Sequence, residues 1–121
     1  MPALRRILIV EDEPLISMML EDFLDALDRE VAGTADNVAA ALAQLEGDGV
    51  DAAILDVNLR AGEQSWPIAA RLREKGIPFI LATGGAGDMI AEPYRDSPIL
   101  SKPFTMDGVE KALDGLAQRA G

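Results

Sequence analysis

The sequence predicts an α/β domain built on a doubly wound, five-stranded parallel sheet. Three observations point there. Short apolar runs recur without polar alternation, as in strands buried on both faces. Helix-period stretches separate them, the pattern of successive βα units. The chain has 121 residues, 49% of them hydrophobic, which suits a single modest core.

The elements follow in order. Ile7–Val10 is the first buried strand, ended by Glu11-Asp12-Glu13-Pro14. Asp12 can cap the next helix and Pro14 suits its first turn. Leu15, Met18, Met19, Phe23 and Leu27 then recur at helical spacing and predict its inner face. Val31 to Ala35 reads as a short edge strand. Asp36 is the expected cap of a second helix, with Val38, Ala41, Leu42 and Leu45 on one face and Gly47 and Gly49 at its end. Ala52–Leu55 is the next buried strand, closed by Asp56, and a loop containing Gly62 follows. Ser65 is the expected cap of a third helix in which Pro67 lies early. Ile68, Ala69 and Leu72 form its inner face, and Gly76 stops it. Pro78 opens the strand Phe79–Ala82, and Ile99-Leu100 is the last strand. Thr105 or Asp107 begins the final helix, which carries Val109, Leu113 and Leu116.

The crossover between the last two strands is the weak one. Gly84, Gly85, Gly87 and Pro93 fall within it. Each glycine costs a helix about 1 kcal/mol relative to alanine, and proline about 3. A short turn over Asp88–Ala91 is the most this stretch supports, so the fourth helix is expected to be poorly formed. A loop there would order or shift when the state of the site changes. Right-handed connections make a doubly wound sheet the natural solution, and the flavodoxin-like order 2-1-3-4-5 places a ligand crevice at the carboxyl ends of the central strands.

Composition excludes several functions. The formal net charge is −10, which argues against nucleic acid or an anionic membrane as partner. With no cysteine and no histidine, the chain has no disulfide, no thiolate nucleophile, no Ser-His-Asp triad and no phosphohistidine of its own. The four apolar residues after MPALRR are too few for a signal peptide, and no segment approaches the ~20 apolar residues of a membrane span. A cytoplasmic protein is expected.

Chemistry-bearing residues follow the central strands one by one. Glu11 and Asp12 come after the first, Asp56 after the third, Thr83 after the fourth and Lys102 after the fifth. Each alone has an ordinary reading. Asp12 is a helix cap, Glu11 a solvated strand end, Asp56 a turn residue, Thr83 a β-branched strand residue and Lys102 a surface lysine. Together they are more specific. Three converging carboxylates call for a cation, and carboxylate oxygens suit Mg²⁺, which often binds with phosphate. A lysine and a hydroxyl can serve a phosphoryl oxygen.

The stretches ILIVEDEP, AILDVNL, FILATGG and ILSKPF span Ile7 to Phe104, and with them the chain resembles the receiver domains of two-component response regulators. The resemblance implies that Asp56 is the phosphoacceptor. It implies that Glu11, Asp12, Asp56 and the backbone carbonyl of Asn58 hold Mg²⁺. Thr83 and Lys102 become the switch and phosphoryl-binding residues. The phosphodonor becomes a sensor histidine kinase or phosphotransfer protein. Residues 1–121 are then one receiver domain with no output domain, and the signal passes to a downstream protein target by contact.

The stretches NLRAGEQSWPIA, GIPFILATGG and YRDSPILSKPF are similar to the alphaproteobacterial single-domain FATGUY type. Leu81 stands for that motif's phenylalanine, and no tyrosine follows Thr83-Gly84-Gly85. Ile99 occupies the position, three before the lysine, where many receivers carry an aromatic switch residue. Tyr94 reads as a packing residue. Trp66 and the methionines read as core or flank, and Arg71, Arg73 and Lys75 as a solvated helix face.

Two other functions compete. One is a Mg²⁺-dependent phosphohydrolase with an aspartyl nucleophile. Such enzymes usually place a second acid two residues on, where this chain has Asn58, which cannot shuttle a proton. The other is a phosphate sink in a phosphorelay. A turnover enzyme is not expected; slow self-dephosphorylation is.

Overall fold

Apolar runs without polar alternation need cover on both faces, and a computed structural model shows how they obtain it. The structure describes residues 4–59, 62–84, 90, 94, 97–102 and 104–120. The elements are β1 (Arg6–Val10), α1 (Pro14–Ala26), β2 (Glu30–Ala35), α2 (Val38–Gln44), β3 (Ala52–Asp56), α3 (Trp66–Glu74), β4 (Phe79–Thr83), β5 (Ile99–Ser101) and α4 (Met106–Ala120). All strands pair parallel in the expected order β2-β1-β3-β4-β5. The expectation of a poor fourth crossover helix falls mostly on residues outside the described ones, and so does Gly85.

Strand alternation splits the core in two. Ile7, Ile9, Ile54 and Ile80 pack under α1 and α4 with Leu20, Leu24, Val109 and Leu113. Leu8, Val10, Leu55 and Leu81 pack under α2 and α3 with Leu45, Ile68 and Leu72. The central strands therefore have no polar face, and their chemistry is confined to their ends.

The structure corrects the inner face of α1. Leu15 and Met18 are 80% and 59% exposed, while Leu20 and Leu24 are buried with Ile16, Met19, Phe23 and Leu27 packed beside them. At about 100° per residue, Leu15 and Met18 lie about 140° and 160° from Leu20, on the far side of the helix. Met106 is likewise exposed, not core or flank.

The caps also differ. Glu13, not Asp12, is the N-cap of α1. Asn37, not Asp36, caps α2, accepting the Ala40 N–H at 2.8 Å. Ser65 is the N-cap residue of α3 but makes no side-chain cap bond; its hydroxyl is buried with no partner among the described residues. Thr105 precedes α4 and accepts the Gly108 N–H at 3.0 Å. Gly76, at φ +71°, ends α3 as expected. Its N–H bonds Arg73 O and that of Ile77 bonds Leu72 O, the paired closure that a left-handed residue permits.

All three basic residues expected on a solvated face find partners, Arg71 in an exposed ion pair with Glu74 at 3.7 Å. Lys75 donates to the carbonyls of Leu45 and Gly47, tying the end of α2 to the end of α3. Arg73 lies 4.5 Å over the Tyr94 ring, which stacks on Trp66 at 5.4 Å and 5°. Trp66 and Arg73 are two turns, about 10.5 Å, apart along α3, room that one flat ring fills. Phe79 meets the same tyrosine edge-on at 6.0 Å. Tyr94 is thus a packing residue, as its sequence context predicts. Tyr94→Ala should destabilise the fold by about 3 kcal/mol, while Tyr94→Phe, which keeps the ring, should stay within about 1. Denaturant midpoints followed through Trp66 fluorescence check both values.

Candidate functional site

The sheet delivers five side chains to one edge. Glu11 follows β1, its N–H bonded to Ala35 O at 3.0 Å, so the ladder holds it one residue past the strand. Its Oε2 accepts the Glu13 N–H at 3.1 Å, which turns the chain into α1. Asp56 ends β3 and is buried, paired in register with Ala82. Thr83 is the next residue of β4, also buried, and its carbonyl accepts the Lys102 N–H at 2.9 Å. That backbone bond aims Lys102 back across the sheet edge. Its Nζ reaches Asp56 Oδ2 at 2.9 Å and Glu11 Oε1 at 3.1 Å.

One carboxylate oxygen each from Glu11, Asp12 and Asp56 lies within 4.8 Å of the others. Two such charges repel by at least about 3 kcal/mol at an effective dielectric constant of ~20. Lys102 brings one positive charge against three negative ones. Its contact with Glu11 Oε1 is an ion pair without hydrogen-bond alignment, so this buried oxygen has no donor among the described residues. Hard carboxylate oxygens, one of them unsatisfied, fit Mg²⁺. An open pocket of about 430 Å³ adjoins the cluster, lined by Glu11, Asp12, Pro14, Met18 and Asp36 among others. Asn58 lies two residues past Asp56, bridged to Gln64. Gly84 is exposed at the end of β4.

The electrostatics follow from this crowding. Burial, and then the Asp56 charge, push the Glu11 carboxyl up to about 7, against the pull of the Glu13 N–H and of Lys102. Burial alone would lower Lys102, but its contacts with Asp56 and Glu11 outweigh this and hold the ammonium above its usual value. A carboxyl raised on folding binds its proton more tightly in the native state. Its contribution to stability is present at low pH and is lost as pH rises from about 4.5 through about 7. In EDTA, wild type should therefore lose about 1–3 kcal/mol relative to Glu11→Gln between pH 5 and pH 8. Mg²⁺ should shrink that difference. Urea midpoints at the two pH values measure it, and parallel behaviour of both proteins would contradict it.

The structure thus brings together Glu11, Asp12, Asp56 and Lys102, with Thr83 and Asn58 on the flanking backbone. Glu63 has no signal in the sequence: its carboxylate accepts the N–H of Val38, 25 residues away.

Comparison with known proteins places this geometry among relatives. The model for the response regulator receiver domain matches residues 7–114. The solution structure of SdrG from Sphingomonas melonis Fr1 is 62% identical, with 96% of this chain and 98% of that one covered and a TM-score of 0.87. The BeF3-activated conformation of SdrG from Pseudomonas melonis Fr1 is also 62% identical, covering 97% and 99%, with a TM-score of 0.84. The response regulator PhyR from Brucella abortus is 32% identical, with 93% of this chain but 46% of that one covered and a TM-score of 0.76. No match is found among curated proteins. No described helix is long and apolar enough to cross a membrane.

Proposed function

The chain belongs to the response regulator receiver family, and from that premise we propose that it accepts a phosphoryl group on Asp56 and passes the resulting state to another protein. One observation carries this reading. Asp56 is a buried carboxylate at a sheet edge, met by Lys102 at 2.9 Å and by two further acids.

The donor is external, because the chain has no histidine. A histidine kinase or phosphotransfer protein presents a phosphoryl group on an imidazole nitrogen. An Asp56 carboxylate oxygen attacks phosphorus, the P–O bond forms as the P–N bond breaks, and the nitrogen's electron pair stays with the donor. Glu11, Asp12, Asp56 and the Asn58 carbonyl would hold Mg²⁺, which when bound offsets the carboxylate and phosphoryl charge. Lys102, already pointed at Asp56, follows the new negative charge onto the phosphoryl oxygens. The Thr83 hydroxyl, one residue beyond the Asp56–Ala82 pair, is the donor on the other flank. Met18 lines the acidic pocket and Leu15 lies three residues before it on α1; both are exposed apolar residues that offer the incoming donor a contact.

Turnover hydrolysis is disfavoured by Asn58, which supplies no proton at the position where a phosphohydrolase needs an acid. Slow self-dephosphorylation, a cytoplasmic location and a downstream protein target complete the reading. Incubation with a phosphorylated donor and Mg²⁺ tests it: an alkali-labile acyl phosphate should form at a stoichiometry of one. An alkali-stable product, or none with any histidine donor, would overturn it.

A further inference from the structure

The segment behind Asp56 is a narrow ribbon. Val57 donates its N–H to Ala82 O at 3.0 Å, which prolongs the sheet by a residue. Its carbonyl accepts the Ser65 N–H at 3.1 Å, and Leu59 donates to Glu63 O at 2.7 Å. Asn58 and Gln64 face one another between these bonds. Val57 and Leu59 are buried and Asn58 is exposed, so the pleat holds Asn58 on the outer side.

The returning arm carries Glu63. Its Oε1 accepts the N–H of Val38 at 3.0 Å. Val38 is the first residue of α2, and the Asn37 cap next to it is committed to Ala40. Glu63 therefore takes a helix-start donor that the cap leaves over. A carboxylate is also the group that a helix start favours. The bond joins the ribbon bearing Asn58 to the β2–α2 turn, where Asp36 borders the same pocket as Glu11 and Asp12.

We propose that Glu63 is a positioning residue for the cation site. By fastening the ribbon to α2 it fixes the Asn58 backbone relative to the acids. Glu63 acts through the main chain and need touch neither cation nor phosphoryl group. The inference rests on the phosphoacceptor reading, in which the Asn58 carbonyl serves the cation.

Mg²⁺ titration of the metal-free protein, by calorimetry or by Trp66 fluorescence, tests it without any phosphodonor. Glu63→Ala should weaken Mg²⁺ binding roughly tenfold, the range seen for groups that orient metal ligands. Glu63→Gln keeps an oxygen that accepts the Val38 N–H and should stay within about twofold of wild type. Val38→Pro deletes the donor from the other side. Proline suits a first helical position, and the extended Asn37 backbone (φ −155°, ψ 168°) tolerates it. This variant should weaken binding as Glu63→Ala does, which covers the case where Glu63→Ala fails to fold. Amide exchange at Val38 should quicken in Glu63→Ala and not in Glu63→Gln. Unchanged affinity in a folded Glu63→Ala or Val38→Pro overturns the proposal alone. Equal loss in the Gln and Ala variants also overturns it, because charge and not the bond would then act. Absence of Mg²⁺ binding in wild type overturns the site reading itself, and the proposal with it.

Discussion

Asp56→Asn should incorporate no phosphate above background from a phosphorylated donor in Mg²⁺, over a time that saturates wild type. Asparagine has the shape of aspartate but lacks the charged oxygen that attacks phosphorus. The fold should survive the change. Asp56 sits at a strand end, so no ladder bond depends on its side chain, and Lys102 keeps its Glu11 partner at 3.1 Å. One of the converging charges also disappears, so in EDTA the variant should be at least as stable as wild type. A lower urea midpoint would show that Asp56 has a structural role that its geometry does not require. Labelling at the wild-type level would place the acceptor elsewhere.

Lys102→Ala should act on both stability and transfer. Its ammonium is the one positive group paired with Glu11 and Asp56 among the described ion pairs, and both carboxylates are buried. Breaking a buried pair from one side leaves uncompensated charge, so metal-free protein at pH 8 should lose about 3 kcal/mol. The loss should shrink toward pH 5 as Glu11 takes up its proton. Mg²⁺ should raise the urea midpoint of the variant more than that of wild type, because the variant lacks the described ion pairs that offset Glu11 and Asp56. Removing one preorganised group from developing charge slows a reaction by about 10²–10³-fold, and phosphoryl transfer to the variant should slow by that order. Stopped-flow transfer and urea curves with and without Mg²⁺ measure the two effects. A variant unchanged in both would remove lysine from the site.

Much of this was legible from residue order. Strands without polar alternation must be buried on both faces, and a parallel sheet with right-handed crossovers has few solutions. The end of each central strand was therefore locatable, and with it Glu11, Asp12, Asp56, Thr83 and Lys102. The face of α1 was less legible, because Leu15 and Met18 fit a helical period as well as Ile16 and Leu20 do. Only the position of the sheet decides which of two apolar sets is covered. The caps are ambiguous in the sequence for a related reason. Asp12-Glu13 and Asp36-Asn37 each offer neighbouring capping candidates, and backbone geometry at the entry to the helix selects between them.

Sequence by itself determined the class of fold and which polar residues follow the central strands, since these follow from periodicity and from the residues that punctuate it. Tertiary structure decided the rest. Burial raises the Glu11 carboxyl to about 7, and Lys102 spans two strands to pair with two acids. Arg73 lies over the Tyr94 ring and Lys75 donates to the end of α2. Glu63 meets Val38 across 25 residues. Each depends on groups distant in the chain coming within a few ångströms of one another. Coulomb, desolvation and hydrogen-bond energies are set by that separation and by excluded water, neither of which residue order records.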